Sequence, residues 1–255
     1  MKIITFSSLK GGVGKSSIAI FTANFLKASG YKVLIMDFDI QNSVSFYYGI
    51  EYELTEKHNT ARALNDKNLT DNIIKANDFF YPDIIPSNLE LLNLQSVNQY
   101  QLDSIKNQLQ DYDYIIIDTS PTFNSLILNS IIASDLIITP VNLTLFDFKT
   151  ALFYENRLKE YRTGKLDNWK LLFNRYKEPK TDNPDTELNT YISLFESEFN
   201  NILNTKIIET ALVRKAIDTK TKITLSKTKE KLYLAIQELC NEITNTEINN
   251  QSGGF

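Results

Sequence analysis

The sequence predicts a single α/β domain built on a mostly parallel, twisted sheet with helices on both faces. Short apolar runs, such as 32–38 and 135–141, alternate along the chain with longer segments of helical periodicity. Uninterrupted apolar runs are typical of parallel strands buried on both faces, and strands that alternate with helices indicate an α/β architecture. A length of 255 residues suits one such domain. We assign residues 1–245 to this domain and predict that the polar segment 246–255 frays.

The order of the predicted elements follows from the residue pattern. In the first predicted helix, 16–29, apolar residues recur at helical spacing, and Gly30 follows where helices commonly end. The polar run 42–78 is predicted to hold only short helices. Strands are predicted at 2–8, 32–38, 112–121, 135–141, 169–176 and 205–210, with a strand or turn at 81–87. Further helices are predicted at 96–110, 123–134, 146–162 and 187–199, and a last one contains Leu232, Ala235, Ile236, Leu239 and Ile243.

The composition excludes several classes of protein. The single cysteine, Cys240, rules out a disulfide framework within the chain and a metal site with several thiolate ligands from one chain. No apolar run reaches the ~20 residues that cross a bilayer. The N-terminal residues lack the architecture of a signal peptide. We therefore expect a cytoplasmic protein.

A glycine-rich loop, "KGGVGKSS" at 10–17, separates the first predicted strand from the first predicted helix. This is the context of a phosphate-binding loop, in which glycines let backbone N–H groups approach phosphate oxygens at a helix N-terminus. In such a loop Lys15 would contact the β- and γ-phosphates, and the Ser16 hydroxyl would bind Mg²⁺. The loop departs from the ordinary pattern, because Leu9 stands where the first glycine belongs and a second lysine, Lys10, follows it.

Three acidic residues follow two of the predicted strands. Asp37 and Asp39 end the second strand, and Asp118 ends the apolar run "YIIID". Ligands of open α/β sheets bind outside the carboxyl ends of the strands, so these carboxylates are expected beside the phosphate loop. A solvated acid at a strand end is the alternative for each residue taken alone. The three together favour a site for a metal ion and a reacting water.

These motifs together resemble the ParA/MinD family of ATPases, whose deviant phosphate loop reads K-G-G-x-G-K-[ST]-[ST]. The segment "LIMDFDIQNS" resembles the family's switch segment, and "YDYIIIDTSPT" resembles its Walker B strand. "LLFNRY" resembles the strand beside the adenine, and "ETALVRKAIDTKTKI" resembles a late segment with a basic residue. The resemblance runs from residue 2 to about 235. It implies a P-loop NTPase fold and an ATPase activity that is slow alone and stimulated by a partner.

The resemblance also implies a role for each site residue. Lys10 would reach the phosphates of ATP held by a second subunit, so that two ATP molecules lie between two subunits. Lys15 would contact the phosphates of its own subunit, and Asp39 would orient the attacking water. The ATP-binding residues would be Lys10, Gly11, Gly12, Val13, Gly14, Lys15, Ser16, Ser17 and, at the adenine, Asn174; the Mg²⁺ site would comprise Ser16, Asp118 and Asp39. One departure is Ile40, which replaces the proline that often follows the second switch acid.

A basic segment, 206–231, stands out in a chain whose net charge is −4. It holds eight lysine and arginine residues against three acidic ones. Such a surface can neutralise DNA phosphates without reading sequence, although a solvated helix and loop is the alternative. Given the resemblance, we expect non-specific binding of double-stranded DNA by Arg214, Lys215, Lys220, Lys222, Lys227 and Lys229.

Several branches of the family compete. A partition ATPase would use a ParB-like adaptor and associate with the nucleoid, and a close variant would position a cargo other than DNA. The first strand begins at residue 2, so we expect the short type without an operator-binding domain. A MinD-type membrane ATPase needs a basic amphipathic C-terminal helix, which 240–255 does not resemble, so no membrane partner is expected. An iron–sulfur relative is disfavoured by the single cysteine. A metabolic or tyrosine kinase relative stays open.

Overall fold

A seven-stranded parallel sheet forms the centre of the protein, whose computed structural model describes residues 1–94, 97–162, 166–177, 187–220, 223, 230–248 and 254–255. The strands are β1 (Lys2–Phe6), β2 (Val33–Phe38), β3 (Asp83–Ile85), β4 (Tyr114–Thr119), β5 (Leu136–Val141), β6 (Trp169–Tyr176) and β7 (Ile202–Ile208). Their order is β3-β2-β4-β1-β5-β6-β7, and each neighbouring pair is parallel. The predicted fold class is therefore confirmed.

Ten α-helices surround the sheet in the described part of the chain. They are α1 (Lys15–Ala28), α2 (Ser43–Tyr47), α3 (Tyr52–Lys57), α4 (Thr60–Asn65), α5 (Gln101–Ile105), α6 (Ser125–Ala133), α7 (Leu145–Tyr161), α8 (Glu187–Glu198), α9 (Ala211–Thr219) and α10 (Glu230–Thr244). Short 3₁₀ helices occur at Thr70–Asn72, Leu89–Leu94, Lys106–Leu109 and Leu166–Asn168. None of the described helices has both the length and the apolar character that a membrane span requires.

Alternate side chains of the central strands pack on opposite faces of the sheet. In β1, Ile4 and Phe6 join the core formed with α1 and α10, whereas Ile3 joins the core formed with α4, α5 and α6. Because both faces are covered, the strands need apolar residues at successive positions, and this explains the uninterrupted apolar runs of the sequence. A third core lies under α7 and α8. β1 sits between β4 and β5, so the loop after it opens at the position where chain connections diverge.

Some element boundaries differ from the prediction. The predicted helix 96–110 is split into α5 and a 3₁₀ turn. The last predicted strand, 205–210, is observed as β7, which begins three residues earlier and ends two residues earlier. Helix α9 had no counterpart in the prediction, although Thr210 caps its N-terminus by accepting a hydrogen bond from the backbone N–H of Leu212. A Ser or Thr cap before a helical pattern was the signal for α9.

The C-terminal segment packs more closely than its polar sequence predicts. Ile248 and Phe255 are both buried, and the Phe255 ring meets the Phe25 ring edge-on at a centroid distance of 5.3 Å. The backbone N–H of Phe255 donates to the carbonyl of Ile223 at 2.8 Å. The prediction of a frayed tail over 246–255 is wrong for these two residues, because each brings an apolar side chain into the core beside α1.

We expect Phe255→Ala to lower the free energy of unfolding by about 3 kcal/mol, because it leaves a cavity between α1 and α10. Urea denaturation followed by circular dichroism measures the change. Phe79→Ala is the matched control, since Phe79 is 69% exposed and its loss should change stability by less than about 0.5 kcal/mol. Equal effects of the two substitutions would mean that Phe255 contributes no core packing.

Candidate nucleotide site

The phosphate loop connects β1 to α1, as the sequence predicts. Gly12 and Gly14 have positive φ angles of 74° and 94°, which residues with a side chain rarely adopt. Gly14 is also the N-cap of α1, so the first free N–H groups of the helix point toward the loop. This geometry favours an anion at the loop, because backbone donors and the helix dipole act at one place.

Side chains hold three of the loop's carbonyl oxygens. The Asn174 Nδ2 atom donates to the carbonyl of Val13 at 2.6 Å, and the Arg175 Nη2 atom donates to the carbonyl of Gly12 at 2.8 Å. The Lys15 Nζ atom donates to the carbonyl of Lys10 at 3.1 Å. Carbonyls engaged in this way leave the loop's N–H groups as the donors available to a ligand.

Arg175 is a loop contact that the sequence reasoning missed. It lies in the left-handed region at φ 52°, next to a register irregularity between β6 and β7. Neither feature can be read from residue types. Only its position beside Asn174, at the end of a strand, hinted that it faces the site.

Two carboxylates are buried side by side at the carboxyl ends of neighbouring strands. Asp37 on β2 is the direct cross-strand partner of Asp118 on β4, and both are fully buried. Burial raises the pKa of Asp118 well above its usual range, and the neighbouring Asp37 raises it further. Burial also raises the pKa of Asp37 to about 6, although hydrogen bonds from the backbone N–H of Asp39 and from Ser45 oppose the shift.

The Lys15 ammonium lies near these acids. Burial lowers the pKa of Lys15, while the negative charges of Asp118 and Asp39 oppose that change. The site therefore gathers one cation and several potential anions in a region from which water is largely excluded. Electrostatic interactions are stronger there than in water, so a charged ligand would change the pKa values of all these groups together.

Asp118 has buried oxygens that lack a partner within the described residues. Neither carboxylate oxygen has a hydrogen bond of standard geometry, although the Ser16 hydroxyl is near enough to lower the pKa of the group. Buried polar atoms are nearly always partnered in folded proteins. The carboxylate of Asp118 and the hydroxyl of Ser16 are oxygen donors of the kind that Mg²⁺ prefers, so this position fits a metal ion.

Asp39 sits in a tight turn after β2. The backbone N–H of Asn42 donates to the carbonyl of Asp39 at 2.9 Å, and the backbone N–H of Gln41 donates to Asp39 Oδ1 at 2.9 Å. Asn42 takes the left-handed conformation, at φ 58°. Ile40, in place of the expected proline, is partly buried against the core of β2. The turn thus forms without the proline.

Lys10 is held within its own subunit. Its Nζ atom lies 2.5 Å from Asp147 Oδ2 and 4.9 Å from the centre of the Phe146 ring. Asp147 is buried at the start of α7, where its carboxylate also accepts hydrogen bonds from Thr144 Oγ1 and from the backbone N–H of Asn142. The family resemblance implies that Lys10 reaches ATP held by a second subunit, but here its ammonium contacts a carboxylate of its own chain.

A cavity of about 550 Å³ opens beside the phosphate loop, between α1, β6, β7 and α9. Its lining includes Gly14, Phe21, Asn174 and Ile208. Asn174 therefore lines this cavity, and its amide nitrogen donates to the carbonyl of Val13. Arg214, assigned to DNA from the sequence, also lines the rim of this cavity.

The basic segment is only partly described. Arg214 and Lys215 lie exposed on α9, where the side chain of Arg214 is 90% exposed and lies 3.5 Å from Asp218. Lys220 ends the helix in the left-handed region, with its ammonium 4.9 Å from the centre of the Phe46 ring. The other predicted DNA contacts, at Lys222, Lys227 and Lys229, lie outside the described residues.

A family model described as an AAA domain matches residues 1–162. The sporulation initiation inhibitor protein Soj of Bacillus subtilis is 32% identical over 150 residues, which cover 55% of this chain and 58% of Soj. The chain belongs to the ParA/MinD family of P-loop ATPases. The resemblance stated from the motifs is thereby confirmed.

Other relatives extend the match along the chain. An uncharacterized protein of Methanocaldococcus jannaschii is 34% identical over 194 residues, which cover 69% of this chain and 74% of that protein. A plasmid partition protein of Borrelia burgdorferi, solved with AMPPNP bound, is 29% identical, with a TM-score of 0.73 over 93% of this chain and 97% of that one. A variant of McdA from Cyanothece, solved as its ATP complex, has the same fold at 21% identity, with a TM-score of 0.81 over 96% of this chain and 97% of that one.

We expect Gly14→Ala to abolish binding of a fluorescent ATP analogue. A Cβ at this position would lie 2.3 Å from Asn174 Nδ2, so the loop and Asn174 would have to separate. Gly30→Ala is the matched control, because Gly30 has nearly the same φ, 93°, but no neighbouring atom within 4 Å of the added Cβ. The control should lose about 1–2 kcal/mol of stability and still bind the analogue. Normal binding by Gly14→Ala would contradict the proposed fit of Asn174 against the loop.

Proposed function

We propose that this protein is a Mg²⁺-dependent ATPase that dimerises around two ATP molecules and then binds DNA non-specifically for partition. The observation that carries the proposal is a complete phosphate loop with a second lysine, Lys10, beside buried acids at the same sheet edge. An ordinary phosphate loop has one lysine, which binds the phosphates of its own nucleotide. The second lysine here, Lys10, is not needed for that role and contacts Asp147 instead. A partition role is named for ParA of Myxococcus xanthus, for the Soj ATPase of Treponema pallidum and for the Borrelia structure.

Each step of the reaction has a proposed residue. The loop from Gly11 to Ser17 and Lys15 hold the phosphates, and Ser16 and Asp118 hold Mg²⁺, the latter through water. Asp39 orients the attacking water and lies near the metal. The cavity beside the loop receives the adenine, with Asn174 at its wall. When bound by Ser16 and Asp118, Mg²⁺ would neutralise phosphate charge.

Lys10 couples nucleotide to assembly. In this proposal it leaves Asp147 and reaches the phosphates bound by the partner subunit, where it neutralises charge that develops during hydrolysis. Because the lysine acts only in the dimer, ATP binding and dimerisation favour each other, as linkage requires. Hydrolysis then removes the γ-phosphate and weakens the dimer.

The DNA-binding surface is proposed on α9 and the segment after it. Arg214 and Lys215 are exposed there, and Arg214 also borders the nucleotide cavity. Basic side chains in this position would neutralise DNA phosphates, and binding would weaken steeply as salt rises. A ParB-like adaptor on the cargo is proposed to stimulate hydrolysis, and the active protein is proposed to act on the nucleoid in the cytoplasm.

We expect Lys10→Ala to keep ATP binding and lose the ATP-dependent dimer, because Lys15 remains while the cation that acts across the interface is gone. Light scattering after size exclusion, with AMPPNP and Mg²⁺, measures the dimer. Lys32→Ala is the control, since it removes the same charge from an exposed position at the opposite end of the sheet. A full dimer in Lys10→Ala would refute the role across the interface.

We expect the double reversal Arg214→Glu with Lys215→Glu to weaken DNA binding at least about tenfold at low salt, because two phosphate contacts become repulsive. Fluorescence anisotropy with a random-sequence duplex measures the affinity for DNA in three separate conditions: without nucleotide, with ADP and with ATP. The control is Lys27→Glu with Lys32→Glu, which makes the same charge change near the amino end of β2, at the opposite end of the strands from the phosphate loop. This control should bind DNA nearly as the parent protein does.

Parallel pelleting with anionic vesicles separates the alternatives. ATP-dependent binding to vesicles without DNA binding would replace the partition role by that of a membrane ATPase. Dimerisation with ATP but binding to neither DNA nor vesicles would favour a cargo other than DNA.

A further inference from the structure

Ser87 occupies a buried position just after the edge strand β3 and contacts the turn that carries Asp39. Its Oγ atom donates to the carbonyl of Asp39 at 2.7 Å. The backbone N–H of Ser87 donates to Ser45 Oγ at 3.2 Å, so the same residue also touches the first turn of α2. Ser87 is fully buried, so water cannot replace these bonds.

The hydrogen bonds around Ser87 close into a ring. Asp37 Oδ1 accepts from the backbone N–H of Asp39 at 3.0 Å, and Asp37 Oδ2 accepts from Ser45 Oγ at 2.9 Å. Ser45 Oγ in turn accepts from the backbone N–H of Ser87. The Ser87 hydroxyl donates to the carbonyl of Asp39 and so closes the ring. The ring therefore fixes the backbone of Asp39 on both sides, through its N–H and its carbonyl.

The Ser87 hydroxyl links this turn to the end of β3. The Ser87 Oγ atom lies 2.7 Å from the carbonyl oxygen of Asp39 and 3.0 Å from Asn42 Oδ1. A hydroxyl carries one hydrogen, so it can donate to only one of them, and the shorter contact is the one to Asp39. With the Asn42 amide turned so that its nitrogen faces Ser87, the hydroxyl donates to Asp39 and accepts from Asn42, and both contacts are satisfied.

We propose that Ser87 is a positioning residue for ATP hydrolysis, which acts by holding the Asp39 turn in the geometry that the reaction needs. The inference rests on the proposed role of Asp39. Within the described part of the chain, the Asp39 side chain is anchored through Oδ1, which accepts from the backbone N–H of Gln41. Its placement therefore depends on where the backbone turn is held, and a small displacement of a catalytic group costs much of the rate.

The test is steady-state hydrolysis of ATP with Mg²⁺ by variants of the full chain. We expect Ser87→Ala to lower kcat about tenfold while KM for ATP changes less than about twofold, because the phosphate loop is untouched. Ser87→Cys keeps nearly the same volume with a much weaker donor, so it should be as slow as Ser87→Ala. Ser87→Thr keeps the hydroxyl and should restore most of the rate.

Ser130→Ala is the matched control. Ser130 is also fully buried and donates to one backbone carbonyl, that of Ile127 at 2.7 Å, but it lies in α6 away from the turn. Ser130→Ala should lower the free energy of unfolding, measured with urea, by an amount comparable to that of Ser87→Ala, while its kcat for ATP hydrolysis stays unchanged. Normal kcat in Ser87→Ala or Ser87→Cys overturns the inference, and so does a folded Ser87→Thr that is as slow as Ser87→Ala.

Asp39→Ala separates the two levels of the proposal. If Asp39→Ala hydrolyses ATP normally, the proposed role of Asp39 fails and the inference about Ser87 fails with it. If Asp39→Ala is inactive while Ser87→Ala and Ser87→Cys hydrolyse ATP normally, the role of Asp39 stands and only the positioning role of Ser87 is overturned.

Discussion

The burial of charge at one edge of the sheet constrains the rest of the structure. Asp37, Asp118 and Lys15 are all withdrawn from water, and neither oxygen of Asp118 has a hydrogen bond of standard geometry among the described residues. Removing a charge from water costs several kcal/mol unless partners replace the lost solvation. The pairing of β2 with β4 places the two acids directly opposite each other. A metal ion and a polyphosphate would supply partners for these buried charges.

Contacts far apart in the sequence give this edge its shape. The phosphate loop lies near the N-terminus, yet Asn174 and Arg175 hold its carbonyls and a segment after β3 holds the Asp39 turn. A single layer of parallel strands makes this possible, because every strand delivers its following residues to the same side. Loops from several different strands thus meet around one ligand position, and each can respond to what the others bind.

The sequence predicted those parts of the site whose chemistry is written in local patterns. The loop glycines, Lys15 and Asp118 follow from motif and strand context, and the apolar runs predicted the sheet. Arg175, Asp147 and Ser87 could not be found in this way, because their roles depend on contacts with residues between 48 and 163 positions away. The burial of Phe255 escaped for the same reason, since a polar stretch conceals one apolar side chain.

The pair formed by Lys10 and Asp147 gives the second lysine of the loop a partner of opposite charge within the same chain. An unpaired ammonium beside Lys15 would repel it, and a buried Asp147 without a cation would be costly. The contact between Lys10 and Asp147 satisfies both requirements within one chain. Thr144 and the backbone N–H of Asn142 also donate hydrogen bonds to the Asp147 carboxylate, so these bonds would partly compensate its charge in the proposed dimer, where Lys10 contacts ATP. In the dimer proposed above, the phosphates of ATP would replace Asp147 as the partner of the Lys10 ammonium, so the same cation would be neutralised in either arrangement.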